Sequence, residues 1–363
     1  MKILIGADLV PTENTNQLFV NQDFNTLFSD VLPIIKRADR FIVNLECALT
    51  NSKNEIKKFG PCLKADPKCA DALKALGVTD VALSNNHVFD FGIEGLKDTM
   101  DNLNRVGLPY MGIGDNDTDS RKIYYIEQDN KKIAVVNVCE HEYSYALPDR
   151  IGTNPFDPFL TMQDVRNARK NADFVLVLYH GGKEHCQYPS PRLRNLCHEL
   201  VLCGADAVIT QHSHCIGCYE QFEGAHILYG QGNFHFLWNI DTELWNTSLL
   251  VELSIDKQID IDFIPIISAK SNQGIELAKG EQKEKIINGF KLRSNELLNG
   301  NWKNGWHAFC VNSQNMYKNA LRGLETPETM EAQTEKFAHY LDCEAHTDVW
   351  RELFPTWNTT NEK

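Results

Sequence analysis

Short apolar runs alternate with amphipathic stretches through the first 240 residues. Ile3–Ile5 is a brief apolar run that reads as a buried strand. Thr26–Ala38 sets Leu27, Phe28, Val31, Leu32, Ile34 and Ile35 at helical spacing, and Arg40–Leu45 follows as a strand. Asp66-Pro67 opens a helix that runs to Leu76, with Gly77 closing it. The pattern repeats with a strand over Asp80–Leu83 and a helix over Gly92–Val106. Tyr124–Glu127 and Lys132–Val138 flank Asp129-Asn130 as a hairpin. Gln163–Lys170 is helical, Phe174–Tyr179 is a fully apolar strand, Arg192–Leu202 is a helix and Ala207–Thr210 a strand. His226–Tyr229 and Ser248–Ile255 are strands with no helix between them.

Strand followed by helix, repeated, predicts a parallel sheet covered by helices. The later strands lack crossovers, so they require antiparallel pairing. Two mixed sheets packed face to face, with helices outside, satisfy both. From about residue 270 the texture turns to Glu, Lys, Asn and Gln with few β-branched runs. Glu281–Leu298 and Pro327–Leu341 are the clearest helices there. The expected organisation is an α/β domain over 1–269 and a helical extension over 270–363.

The 363 residues hold 49 acidic and 36 basic side chains, a net charge of −13. Of these, residues 270–363 contain 13 acidic and 12 basic, so the acidity belongs to the α/β part. Such a chain is a poor general binder of nucleic acid or of anionic membrane. MKILIGADLVP meets an aspartate too soon for a leader peptide, and no apolar run is long enough to span a bilayer; a cytoplasmic location is the expectation. The eleven cysteines are odd in number and predict no disulfide framework; Cys215 and Cys218, with no second such pair, read as reduced thiols.

The chemistry lies where strands end. Gly6-Ala7-Asp8, Asn44-Leu45-Glu46, Asn85-Asn86-His87 with Asp90, His180-Gly181-Gly182 and Gln211-His212-Ser213-His214 each follow an apolar run. Ligands of α/β sheets bind at the carboxyl ends of strands. Five such ends on one edge would gather carboxylates, amides and imidazoles in one cleft. His212 and His214 would face one side if the segment stays extended. Each piece alone has a bland reading as a cap, turn or surface histidine; their joint occurrence points to a metal site. Carboxylate, amide oxygen and imidazole suit Mn, Zn or Fe as divalent ions, one or two per chain. A carboxylate between two ions about 3.5–4 Å apart supports hydrolysis by metal-activated water. His87 is then the proton donor, with Asp90 orienting it.

The ordered motifs, extended by His180-Gly-Gly-x-Glu184 and Tyr-Gly-x-Gly232-Asn233-Phe234, resemble the CapA/PgsA family of poly-γ-glutamate capsule synthesis proteins across about residues 1–265. The resemblance implies a calcineurin-like, four-layer α/β/β/α metallophosphoesterase-like sandwich. It implies Asp8 and His214 on a first metal, Glu46 as the bridging carboxylate, and Asn86, His180 and His212 on a second. His87 would be the catalytic histidine, and Asn233 would orient the cleft. The sequence departs from the broader phosphoesterases at Asp8-Leu9-Val10, where Asp-x-His is usual, so one ligand of the first metal is absent. Glu184, Asn44 or water would complete it.

Asn44, Asn85, Lys64, Lys183, Glu184 and Asn233 are the residues expected to bind substrate or support the ligands. Lys53, Lys57, Lys58 and Lys64 against Glu55 give +3 over twelve residues, a patch for an anionic phosphoester or a γ-glutamyl polymer. Tyr143, Tyr145, Tyr188, Trp238 and Trp245 are aromatic candidates for the cleft, and Trp302, Trp306, His307 and Phe309 for packing of the extension. The leading reading is a metal-dependent, phosphoesterase-like hydrolase. A γ-glutamyl amide hydrolase and a non-catalytic binding subunit of polymer synthesis are the alternatives. The oligomeric state is not encoded in any motif.

Overall fold

The computed structural model describes residues 1–238, 242–321 and 330–355. The main strands and helices, in chain order, are β1 (Lys2–Leu9), β2 (Arg40–Leu45), α1 (Cys69–Leu76), β3 (Asp80–Ala82), α2 (Gly92–Arg105) and β4 (Tyr110–Met111). Next come β5 (Tyr124–Gln128), β6 (Lys131–Cys139), α3 (Pro158–Asn171), β7 (Phe174–His180), α4 (Pro191–Leu202) and β8 (Ala207–Gln211). They are followed by β9 (Ile216–Phe222), β10 (Ala225–Gln231), β11 (Asn233–His235), β12 (Thr247–Ile255), β13 (Ile259–Ser268) and β14 (Ile275–Leu277). The last four are helices: α5 (Gly280–Asn299), α6 (Trp302–Leu321), α7 (Met330–Asp342) and α8 (Glu344–Leu353).

One sheet runs β14-β13-β12-β1-β2-β3-β4, with β11 also beside β1; the other runs β9-β10-β8-β7-β6-β5. The centres are parallel (β1–β2–β3–β4 and β6–β7–β8–β10); helices cross between these strands except from β8 to β10, which are joined through β9. The strands without crossovers, β12–β14, β9 and β5, pair antiparallel. Both sheets are therefore mixed, as the sequence pattern requires.

The period-2 alternation builds the layers. Ile3, Ile5 and Ile42 meet Ile133, Val135, Leu176, Leu178 and Ile209 in one core between the sheets. Their neighbours Leu4, Phe41 and Val43 face outward onto Leu73 of α1 and Leu96 of α2. On the second sheet Ala134, Val136, Val175 and Val177 face outward onto Val165 of α3 and Leu196 of α4. The result is a four-layer α/β/β/α sandwich. All eleven cysteines are free, and Cys215 and Cys218 are buried. No helix among the described residues is long and apolar enough to cross a membrane.

Several elements differ from the sequence pattern; the helix expected over Gln163–Lys170 starts at Pro158, and β9 and β13 are strands the pattern did not single out. The helix expected over Thr26–Ala38 is broken into Phe24–Phe28, a 3-10 turn at Ser29–Val31, and Leu32–Lys36. Ser29 has φ +40° and Pro33 cannot continue a helical ladder, so the chain turns there. The helix expected from Asp66 begins at Cys69, since the Asp66 carboxylate accepts the Lys68 N–H and makes a turn instead. The boundary expected at 269/270 falls between β13 and β14; β14 still pairs in the first sheet, and the helical part starts at Gly280. Residues 327–329 of the last expected helix lie outside the described residues.

The helical extension packs on the second sheet. Ser294 accepts the Tyr219 N–H of β9 at 3.0 Å, while Phe290 reaches Phe263 of β13 in the first sheet at 4.9 Å. Trp302 and Trp306 join the outer core, Phe309 packs at its margin, and His307 pairs with Glu352. α8 is pinned by Asp348, which accepts Ser190 Oγ at 2.6 Å and Arg192 Nε at 2.8 Å; Arg192 also holds Glu140. Asp348 thereby ties the end of the chain to α4 and to the loop after β6.

His235 on β11 is fully buried between Phe19 and Phe28, and neither ring nitrogen has a hydrogen-bond partner. Burial pushes its pKa down to about 3. Folded His235 stays neutral where the unfolded chain, with the ordinary histidine value near 6.5, takes a proton. Stability from this group is thus intact above pH 6.5 and falls as pH drops toward 3, by about 1.4 kcal/mol per pH unit. His235→Leu removes that acid limb. In thermal melts at pH 8 and pH 5, the variant is expected to lose roughly 2 kcal/mol less than the wild type between the two.

Candidate metal centre

Strand register assembles the centre. Asp8 near the end of β1 lies opposite Asn44 of β2 on one side and Asn233 of β11 on the other. The last residue of β7, His180, lies opposite Gln211 of β8, which leads into His212 and His214. The loop after β3 carries Asn85, Asn86 and His87. Five strand ends therefore open on one edge of the sandwich. His212 and His214 do not share a side through extended alternation, however. Their φ angles are +88° and +51°, left-handed conformations unusual for histidine. The turn after β8 is bent to aim the rings, and this is strain held at a site.

Two ligand triads share one carboxylate. Glu46, His180 and His212 bring ligand atoms within 4.8 Å of one another, as do Asp8, Glu46 and His214; a third triad joins Glu184 to His212 and His214. Asn86 Oδ1 sits 3.0 Å from His180 Nε2, on the side that faces Glu46 at 3.3 Å. Glu46 is fully buried and neither of its oxygens accepts a hydrogen bond. A bare buried carboxylate is costly unless a cation neutralises it. This donor set of carboxylates, imidazoles and an amide oxygen fits divalent cations with borderline or hard preferences.

Amides hold the ligands in place. Asn44 Nδ2 donates to Asp8 Oδ1 at 2.7 Å, and its oxygen accepts from Asn85 at 2.9 Å. Asn44 thus orients Asp8 and is not itself turned to a cation. Asn85 Oδ1 accepts the N–H groups of His87 and Val88, shaping the turn. Asn233 Oδ1 pairs with His214 Nδ1 at 2.9 Å, and Trp245 packs on the same ring at 4.5 Å.

The electrostatics answer a surplus of negative charge. Burial opposes a charge on His212, but Glu142 above all, with Glu184 and Glu46, outweighs it and pushes the group up to about 10. His214 rises to about 9 against the same burial, through Glu46 and Asp8. Burial likewise works against Asp8 ionisation, yet His214 and His180 hold its carboxyl below the usual range.

His87 stands beside this centre. Its Nδ1 lies 2.6 Å from Asp90 Oδ2, and Asp90 also accepts Lys58 Nζ at 2.6 Å and the Leu63 N–H at 2.7 Å. Burial opposes the Asp90 charge, but His87 and Lys58 keep its pKa low. Lys58 is therefore the lysine of the basic loop that reaches the site. Lys64, expected to bind substrate, does not: it donates to the Ser52 carbonyl and lies 4.6 Å over the Phe91 ring, because the short pairing of Ala48–Leu49 with Lys64–Ala65 turns it away. Lys183 is buried and pairs with Glu184 at 3.5 Å. Among the aromatic candidates, Tyr143 and Tyr145 line the adjoining cleft. Tyr188 bonds Glu296 of α5, and Trp238 is half exposed against Phe236, so neither belongs to it.

Sequence reasoning missed Glu142. Its oxygens lie 3.3 Å from His212 Nε2 and 2.9 Å from Asn86 Nδ2. Glu140-His141-Glu142 directly follows the apolar run of β6, a sixth strand end of the same kind. It also missed the extension's approach: Cys343 Sγ donates to Glu142 at 3.1 Å, and His339 and His346 meet through their Nε2 atoms at 3.2 Å nearby.

Residues 2–237 match the family described as "Bacterial capsule synthesis protein PGA_cap". The chain is 28% identical over 239 residues to the capsule biosynthesis protein CapA of Bacillus anthracis, covering 63% of this chain and 58% of that one. It is 29% identical over 216 residues to the PGA biosynthesis protein CapA of Bacillus subtilis (strain 168), covering 58% and 57%. The alignments thus span somewhat over half the length of these relatives. Among solved structures, a hypothetical protein from Thermus thermophilus aligns over 73% of this chain and 98% of its own, at 16% identity and TM-score 0.47. With about two thirds of its length matched, every strand-end motif included, this chain belongs to the bacterial capsule synthesis protein family PGA_cap.

Proposed function

We propose that this chain is a metal-dependent hydrolase of phosphoesterase type. The observation that carries the reading is the buried carboxylate of Glu46, which accepts no hydrogen bond and is shared by two imidazole-bearing triads. Asp8, Glu46 and His214 would hold one divalent ion, and Glu46, Asn86, His180 and His212 a second, with Glu184 completing the set. Divalent ions at such positions supply Lewis acidity and an activated water. Asn44 and Asn233 keep Asp8 and His214 in their ligand rotamers. His87 hands a proton to the leaving oxygen from Nε2, while Asp90 fixes the ring through Nδ1 and Lys58 keeps Asp90 ionised. The burial of the ligands excludes bulk water from the reacting centre.

The test is elemental analysis of protein loaded with Mn²⁺, Zn²⁺ or Fe²⁺, followed by a screen of phosphomonoesters and phosphodiesters. About two bound ions and turnover of a phosphoester are the expected results. Absence of metal after loading overturns the reading and favours a non-catalytic binding subunit. The names of the relatives, which refer to capsule and PGA biosynthesis, favour a second substrate class, γ-glutamyl amides. Turnover of a γ-glutamyl peptide with none of any phosphoester would select it.

A further inference from the structure

Beside the metal centre lies a cleft of about 420 Å³. One wall is the loop after β6, with Tyr143, Tyr145 and Arg150, backed by Phe89; the other is α7, with Ala338, His339 and Asp342. Glu142 also lines it, and Glu142 touches His212 and Asn86. The cleft is thus one side chain away from the ligand cluster. Its outer wall lies beyond the family-matched segment, which ends at residue 237.

Most charged side chains at this cleft have a charged or hydrogen-bonding partner side chain, and among the described residues the one cation without one is Arg150. Lys57 pairs with Glu335, His141 with Glu344, and Asp342 accepts the Tyr145 hydroxyl. Arg150 has no carboxylate partner among the described residues. Its guanidinium donates to the main-chain carbonyls of Tyr143 and Tyr145, and its buried Nε donates to nothing. The group lies 5.0 Å from the Phe89 ring centre and 5.6 Å from that of Tyr145, which fixes its plane. A guanidinium held flat with donors to spare is built to receive an oxyanion. His339 stacks on Tyr143 at 5.3 Å, and burial keeps it below the ordinary histidine range, so the facing wall is planar and uncharged there.

We propose that this cleft receives a second, non-reacting oxyanion of the substrate on Arg150, with α7 of the C-terminal extension as its outer wall. The proposal rests on the hydrolase reading for which group reacts. It assigns the extension a part in specificity. Carboxylate and phosphate share the required chemistry.

The test is calorimetric titration of the full, Mn²⁺-loaded chain with three probe series of two to eight carbons. Alkyl monophosphates carry one oxyanion, α,ω-bisphosphates two phosphates, and ω-carboxyalkyl phosphates one of each. At one or more lengths a two-oxyanion probe is expected to bind about tenfold or more tighter than the monophosphate. That gain disappears in Arg150→Met and in Ala338→Trp, where indole fills the cleft from an exposed helix face, while metal content stays at the wild-type level. Which series gains identifies phosphate or carboxylate. A gain at no length, or one that survives both substitutions, overturns the proposal. Gain without hydrolysis of any probe overturns the phosphoesterase reading and leaves the docking site standing; hydrolysis without gain does the reverse.

Discussion

His212→Ala is expected to empty most of the candidate metal centre. His212 belongs to two of the three ligand triads, with Glu46 and His180 in one and Glu184 and His214 in the other. Alanine removes an imidazole that faces Glu142 at 3.3 Å. Supporting residues around metal ligands already contribute 10–100-fold to affinity, so a ligand lost outright weakens binding by more than about 100-fold. Protein loaded with Mn²⁺ and desalted is expected to retain at least one ion fewer than the wild type by elemental mass spectrometry. Phosphoester turnover falls with it by more than about 100-fold. Retention of the full metal content would show that Glu184, Asn86 and His180 suffice, and that His212 is held at φ +88° for some other purpose.

The second large effect is kinetic. His87→Ala is expected to lower kcat by about 10²–10⁴ while leaving metal content unchanged, because His87 is in none of the triads. The leaving group separates proton donation from a structural role. An alkyl phosphate needs a proton on its departing oxygen, whereas a nitrophenyl phosphate leaves without one. The loss should therefore be large for the alkyl substrate and at least about tenfold smaller for the nitrophenyl substrate. Equal losses on both would mean that His87 only shapes the loop after β3. Asp90→Asn should follow the same pattern more weakly, since it removes the 2.6 Å partner of Nδ1 but leaves the ring in place.

Much of the candidate centre is legible in one dimension because each candidate ligand ends an apolar strand. Asp8, Glu46, Asn86, His180 and His212 sit where buried β-structure meets polar residues, and parallel register carries those ends to one edge. The layers are equally legible: Ile3 and Ile5 against Leu4 alternate with period 2, and both faces had to be covered. Glu142 obeys the same rule after β6, but Glu140-His141-Glu142 also reads as a solvated charge run.

Other features needed three dimensions. Spacing cannot tell Lys58 from Lys64 in one basic loop; a two-residue strand pairing turns Lys64 outward and leaves Lys58 over Asp90. The convergence of His212 and His214 rests on two left-handed residues, a conformation that local propensity disfavours and the packed turn imposes. The break at Ser29 likewise overrides a helical period that runs through it. The C-terminal helices are the extreme case. Their polar texture marks them as helices, yet their partners, Glu142, Arg192 and the cleft around Arg150, lie some 150–200 residues earlier. Periodicity encodes what a residue's neighbours within a turn or a strand require, so the sequence by itself determined the layers and the placing of carboxylates, amides and imidazoles at the strand ends. Contacts across such separations carry no local pattern, and only the tertiary structure decided that the extension walls the cleft.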